Sequence, residues 1–193
     1  MDIWYNILLN SDINDINKLI NKTTVKILYD KQFWVDKFKH DHLPLLTMSN
    51  DMIKKYNKTL LAHQAAILFK NVLNNAVNPQ IYMTGYYFEE MNWLPNVILD
   101  HIESAGDIDL VFNAFLYINV RPEYSIQFDL SREPIKWDVD ESLSEHYETT
   151  IVKLNNKEFI LFLTKLFYYV PDVELMVDGK TRLNYYKNRK LSL

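Results

Sequence analysis

His40, Asp41 and His42 form the densest cluster of metal-ligating and proton-transferring side chains in this sequence. The chain has no cysteine, so a zinc site would have to be built from histidine and carboxylate. On a helix, two positions that far apart in sequence point about 200° apart, and His40 and His42 then share a metal only if the stretch is extended. A solvated helix end is the expected reading. His63 lies beside the apolar stripe of a long helix and His101 follows Ile98 by one helical turn, both positions of partly buried structural histidines. Glu89-Glu90, Asp107/Asp109 and Asp138/Asp140/Glu141 have the residue types of general acids and bases, yet their spacing is that of solvated surfaces and no neighbour marks one of them as desolvated. With three glycines the chain holds no phosphate-cradling loop, and neither G-x-S-x-G nor H-E-x-x-H occurs. Tyr82, Tyr86, Tyr87 and Phe88 lack the interleaved Lys or Arg of a base-stacking surface. The expectation is a protein without catalysis, metal or cofactor.

The composition agrees. With 48% hydrophobic and 14% aromatic residues, the 193 residues can bury a core as one domain or two small ones. The net charge of −4 offers no general attraction to nucleic acid or anionic membrane, although Lys187-Asn188-Arg189-Lys190 is locally basic. No apolar run reaches the roughly 18 residues of a bilayer span. No secretory signal pattern opens the chain and cysteine is absent, so a reducing compartment is expected, the cytoplasm first and the nucleus next.

Several elements must position whatever site exists. Ile3, Trp4, Ile7 and Leu8 fall on one face of a first helix, "NSDIND" (Asn10–Asp15) breaks the pattern with residues that favour caps and turns, and from there Ile13, Ile16, Leu19 and Ile20 recur at helical intervals. Thr23, Thr24 or Asp30 can cap the next helical pieces, and a helix over 31–40 would carry Trp34 and Phe38 on one face before Pro44 ends the segment. A long helix over 51–77 shows the stripe Leu61, Ala65, Leu68, Val72 and Ala76, with Ser49 or Asn50 as cap. Residues 95–105 give another helix with Pro95 in its first turn and Gly106 at its exit.

Beyond Arg121 the period drops to two. Ile126, Phe128 and Leu130 alternate with Gln127 and Asp129, Ile135, Trp137 and Val139 alternate with Lys136 and Asp138, and 147–154 and 172–178 read as further strands. Residues 155–170 read as an Asn-capped helix, and 107–120 fits either period, with helix preferred. The fold class is therefore α+β, with a helical N-terminal half and a C-terminal portion of antiparallel strands and helices. The expected division is a helical module at 1–46 and an α+β region at 47–193, with a sub-boundary near 121.

Taken together, the N-terminal pieces resemble the F-box, through which substrate receptors dock on the adaptor of cullin–RING ubiquitin ligases. "DIWYNILLN" resembles the end of the family's opening helix, "NDINKL" its Asp-Leu step, and "DKQFWVDKF" its closing D-x-x-F-W-x-x-x-F, with Asp30, Phe33, Trp34 and Phe38 in the matching places. The Leu-Pro that opens most F-boxes is missing and the middle signature is shortened. Short N-termini of this kind are similar to those of large families encoded by giant DNA viruses of amoebae. The resemblance covers residues 2–44 and implies a Skp-type protein adaptor as partner, contacted through Ile3, Trp4, Ile7, Leu8, Ile16, Phe33 and Trp34, with the C-terminal region binding a further protein target. The alternative is a self-assembling or virion-associated structural protein in which the F-box-like helices are plain core.

Overall fold

The computed structural model describes residues 3–75, 80–83, 92–104, 113–131, 148–170, 174–177 and 181–184. Two compact units, Met1–Gln64 and Ala65–Leu193, divide the chain. The division lies beyond the boundary after Leu46 expected from sequence, because Met52 and Tyr56 belong to the N-terminal core.

The first unit begins with four short helices, α1 (Ile3–Asn10), α2 (Ile13–Lys18), α3 (Thr24–Leu28) and α4 (Lys31–His40), and continues into α5 (Met52–Leu73), which crosses the division. Helices this short are marginal alone, so packing and local polar bonds must hold them. The packing is one cluster of Leu8, Ile13, Ile16, Leu28, Phe33, Trp34, Phe38, Leu43, Met52 and Tyr56. The polar bonds sit at the helix ends. Asp12 accepts from the amide of Asp15 at 2.9 Å and starts α2, while Asp30 accepts from the amide of Gln32 at 2.9 Å and starts α4.

Two caps differ from the sequence expectation. Before α3, Asn21 takes the part expected of Thr23 and Thr24: its Oδ1 accepts from the amides of Thr23 and Thr24 at 2.9 and 3.1 Å. The buried Thr24 hydroxyl instead turns back and donates to the Leu19 carbonyl at 2.7 Å. Before α5, Asp51 accepts from the amide of Lys54 at 3.0 Å, in place of Ser49 or Asn50.

The His-Asp-His cluster forms the end of α4. His42 adopts a left-handed conformation with φ 56°. The amide of His42 reaches the Lys39 carbonyl at 3.2 Å, and the amide of Leu43 reaches the Phe38 carbonyl at 2.8 Å, with Phe38 and Leu43 both in the core. This is a Schellman ending with a non-glycine residue in the position that favours glycine. Replacing His42 by glycine relieves the left-handed cost, against some loss of unfolded-state restriction. A net gain of about 0.5–1 kcal/mol is expected, seen as a thermal midpoint higher by about 3–5 °C. A lower midpoint would mean that the His42 side chain has a structural role of its own.

The second unit carries a six-stranded antiparallel sheet in the order β4-β3-β2-β1-β5-β6, formed by β1 (Gln80–Met83), β2 (Asn113–Asn119), β3 (Ser125–Ser131), β4 (Glu148–Lys153), β5 (Glu174–Val177) and β6 (Thr181–Asn184). Helices α6 (Asn96–Ser104) and α7 (Asn156–Tyr169) complete it. The observed class is α+β, as the change of period near Arg121 implies. Residues 113–119, expected as helix, form a strand. Leu116 lies opposite Phe128 and Ile118 opposite Ile126 in the ladder, all four are fully buried, and pairing with an established strand decides a segment that fits both periods. On β3 the alternation holds for Ile126 and Phe128, but Asp129, expected on the wet face, is 7% exposed and accepts from Gln127 Nε2 at 3.1 and 3.0 Å.

Helix α7 starts with a full capping box, Asn155 accepting from the amides of Lys157 and Glu158 while Glu158 accepts from the amide of Asn155. It buries Phe159, Phe162, Leu163, Leu166 and Phe167, with Phe159 stacked on Tyr124 at 4.4 Å and Phe167 edge-on to Phe69 at 5.5 Å. That aromatic contact explains a shift on α5. The expected stripe ran through Leu61, Ala65, Leu68 and Val72; Ala65 is buried and Val72 partly so, but Leu61 and Leu68 are exposed, and the continuous buried row is Ala62, Ala66, Phe69 and Leu73. Two apolar rows lie side by side on this helix, and the one carrying the aromatic ring buries more surface. Residues 132–147, including the strand expected at Ile135–Val139, lie outside the described residues, as do Ala76 and Gly106.

Candidate docking site

The seven residues singled out for partner contact separate into two groups. Leu8, Ile16, Phe33 and Trp34 are completely buried in the core of the first unit, so they support a surface and do not form one. Ile3 is 75% exposed and Ile7 40% exposed, one helical turn apart on α1, and Trp4 beside them is half-buried. Helix α1 thus buries Leu8 on one side and leaves a short apolar stripe on the other.

Several contacts fix the buried side. Tyr5 meets Phe33 edge-on at 5.4 Å, and its hydroxyl donates to Asp36 Oδ2 at 2.5 Å. Burial and the Asp36 carboxylate push the Tyr5 phenol up to about 12, and the bonds from Tyr5 and Gln32 hold Asp36 below the usual carboxylate range. Phe33 meets Trp34 at 5.2 Å, and the Trp34 indole donates to the Leu28 carbonyl at 2.8 Å. Trp34 and Phe38 both reach Tyr56 on α5, at 5.6 and 5.2 Å. Phe33 and Trp34 are therefore the pins that join α1, α3, α4 and α5.

The charges next to them in sequence are not simply a wet face. Lys37 is 2% exposed, and its ammonium donates to the carbonyls of Leu9 and Ser11 and pairs with Asp41 Oδ2, each at 2.8 Å. Asp41 also accepts from the Tyr56 hydroxyl and lies 2.8 Å from His40 Nδ1. Burial pushes the Asp41 carboxyl up, but the bonds from Lys37, Tyr56 and His40 and the Lys37 charge outweigh it and hold it below its ordinary value. Burial, then the Asp41 bond, raises the Tyr56 phenol well above its ordinary value. A lysine with a carboxylate one helical turn later also occurs on solvated helix faces, so spacing alone could not reveal this network. The signal available was position: Lys37 comes one turn after Phe33 and Trp34, on the side they bury.

Of the chemical candidates, the His-Asp-His cluster lies in this same geometry. His40 Nδ1 is spent on Asp41, and His42 occupies the left-handed turn. Among the described residues no group of three or more histidine, aspartate or glutamate side chains is placed to hold a metal ion. Burial lowers the His63 imidazole on α5. His101 lies on α6, with its side chain outside the described residues, as are Glu89-Glu90, Asp107/Asp109, Asp138/Asp140/Glu141 and the basic tail at 187–190. Among the described residues no helix is long and apolar enough to cross a membrane. No family model, curated protein or solved structure matches this chain.

Proposed function

We propose that this chain is a non-catalytic interaction protein, with the α1 face of its N-terminal unit docking on a Skp-type adaptor of a cullin–RING ubiquitin ligase in the cytoplasm and its α+β unit binding a second protein. The observation that supports this reading is the exposed pair Ile3 and Ile7 on a helix whose opposite side is pinned into a core. Complete burial of a fully exposed isoleucine contributes about 1.5–3 kcal/mol, and with 75% of Ile3 and 40% of Ile7 still open to solvent the two together supply roughly 2–3.5 kcal/mol before ordering costs. Micromolar binding needs about 8 kcal/mol. A specific complex must therefore also use the exposed part of Trp4 and polar residues around the stripe.

The test is retention of the full chain on immobilised adaptor, compared with an Ile3→Asp/Ile7→Asp variant. Wild type is expected to be retained and the variant to lose at least about tenfold in affinity, with a fall in thermal midpoint small beside that of a core substitution, because Ile3 faces solvent and Ile7 is partly exposed. Absence of wild-type retention, or equal retention of both proteins, overturns the reading. A stable homo-oligomer lost in the variant would favour self-assembly through the same stripe.

A further inference from the structure

We propose that Lys37 is a C-terminal cap supplied in trans, a latch that holds α1 in place and thereby keeps its Ile3/Ile7 face presented. The last carbonyls of any helix lack partners within it and need a substitute. Helix α1 has neither the glycine ending nor a basic residue in its last turn that would meet this need locally. Ser11 covers part of the deficit, its hydroxyl donating to the Ile7 carbonyl at 2.7 Å and its amide to the Leu8 carbonyl at 3.3 Å. The carbonyls of Leu9 and Ser11 are taken by the Lys37 ammonium, 28 and 26 residues further along the chain.

A cation at this end also faces the negative pole of the helix dipole, and burial strengthens that attraction. Its third hydrogen bond goes to Asp41, which itself accepts from Tyr56 on α5. The ammonium is therefore fully satisfied, and it ties the end of α1 to α4 and through Asp41 to α5. An eight-residue helix is too short to persist alone, and this tie acts beside the packing of Leu8 and the Tyr5 contacts with Phe33 and Asp36. Opening the latch releases α1 as a local event while Trp34, Phe38 and Tyr56 keep the other helices packed.

That opening would withdraw the docking face rests on the proposed adaptor reading; the latch itself does not. Two variants of the full chain separate the cases by amide hydrogen exchange. Lys37→Met keeps the apolar stem and removes the ammonium, and the amides of residues 7–10 are expected to exchange at least about tenfold faster while those in the core of α4 change less than about threefold. Asp41→Asn leaves the ammonium on the Leu9 and Ser11 carbonyls and is expected to keep residues 7–10 within about threefold of wild type. Unchanged exchange at 7–10 in Lys37→Met, or an equal rise across α1 and α4, overturns the latch. Equal loosening of α1 by Asp41→Asn also overturns it, since the tie would then reside in the ion pair. On immobilised adaptor, Lys37→Met should weaken retention by about the factor by which α1 opens. Undiminished retention with a loosened α1 overturns the link to docking, whereas an adaptor that fails to retain wild type overturns the docking reading and leaves the exchange result to decide the latch.

Discussion

Replacing Trp34 by alanine is expected to unfold the N-terminal unit at room temperature. Removing a fully buried tryptophan costs about 3–5 kcal/mol, which matches the whole stability that a single core of this size supplies. The loss has identifiable parts. The edge contact with Phe33 and the tilted contact with Tyr56 disappear, and the Leu28 carbonyl, which accepts from the indole, is left without that donor. Trp34→Phe keeps a ring but not the N–H, and should fall between wild type and alanine, by about 1 kcal/mol for the bond plus the unfilled volume. Hydrogen exchange over residues 3–43 reads the unit directly, and Ile3→Ala, at a position 75% exposed, serves as control with a change within about 0.5 kcal/mol. Alanine at 34 with protection close to that of wild type would show that the four short helices are not held by this ring.

The importance of Trp34 was visible in the sequence, because an aromatic pair with Phe38 one turn later is a strong apolar signal at helical spacing. The same holds for α4 and α7, whose limits are set by Asp30 and Asn155 as caps and by an uninterrupted apolar stripe. The α+β class was legible in the change of period near Arg121. Legibility failed where two patterns compete or where the partner is far away in the chain. Residues 113–119 satisfy both periods, and only the ladder with 125–131 makes them a strand. On α5 both apolar rows are plausible until Phe167 is known to meet Phe69.

The exposed apolar stripe of α1 was legible by half. Helical spacing placed Ile3, Trp4, Ile7 and Leu8 together, but eight residues of helix with apolar side chains nearly all round do not say which side turns inward. The answer depends on Phe33, Asp36 and Lys37 arriving beside Tyr5 and Leu9, contacts between residues far apart in the chain that no local pattern encodes. Ile16, Phe33 and Trp34, singled out from the sequence as partner contacts, lie in the core and hold the helices together. The surface expectation rests on α1 alone.

The second large effect concerns Asp41, where a carboxylate stands between a buried ammonium and a phenol. Asp41→Ala leaves the Lys37 charge without its counter-ion and the Tyr56 hydroxyl without its acceptor. Breaking a buried pair costs about 3–5 kcal/mol, and because Asp41 keeps 21% of its side chain in solvent and Lys37 keeps two carbonyls, roughly 2–3 kcal/mol is expected. Asp41→Asn retains an acceptor for Tyr56 and should cost less. The pH dependence carries the signature. Asp41 has a folded value below its ordinary 3.8, so its contribution is complete above that value and disappears as pH falls through the folded one. The gap in thermal midpoint between wild type and Asp41→Asn should be constant above about pH 5 and shrink steadily below about pH 3.8. At the other end Tyr5 and Tyr56 have raised values, so their contribution is complete below 10 and is lost as pH climbs, through about 12 for Tyr5. Since the Asp41 charge is part of what raises Tyr56, Asp41→Asn should also reduce the alkaline loss due to Tyr56, flattening both limbs of the curve at once. A gap that stays the same from acid to neutral pH would mean that Asp41 acts through shape, and that its ion pair with Lys37 contributes nothing to the stability of the N-terminal unit.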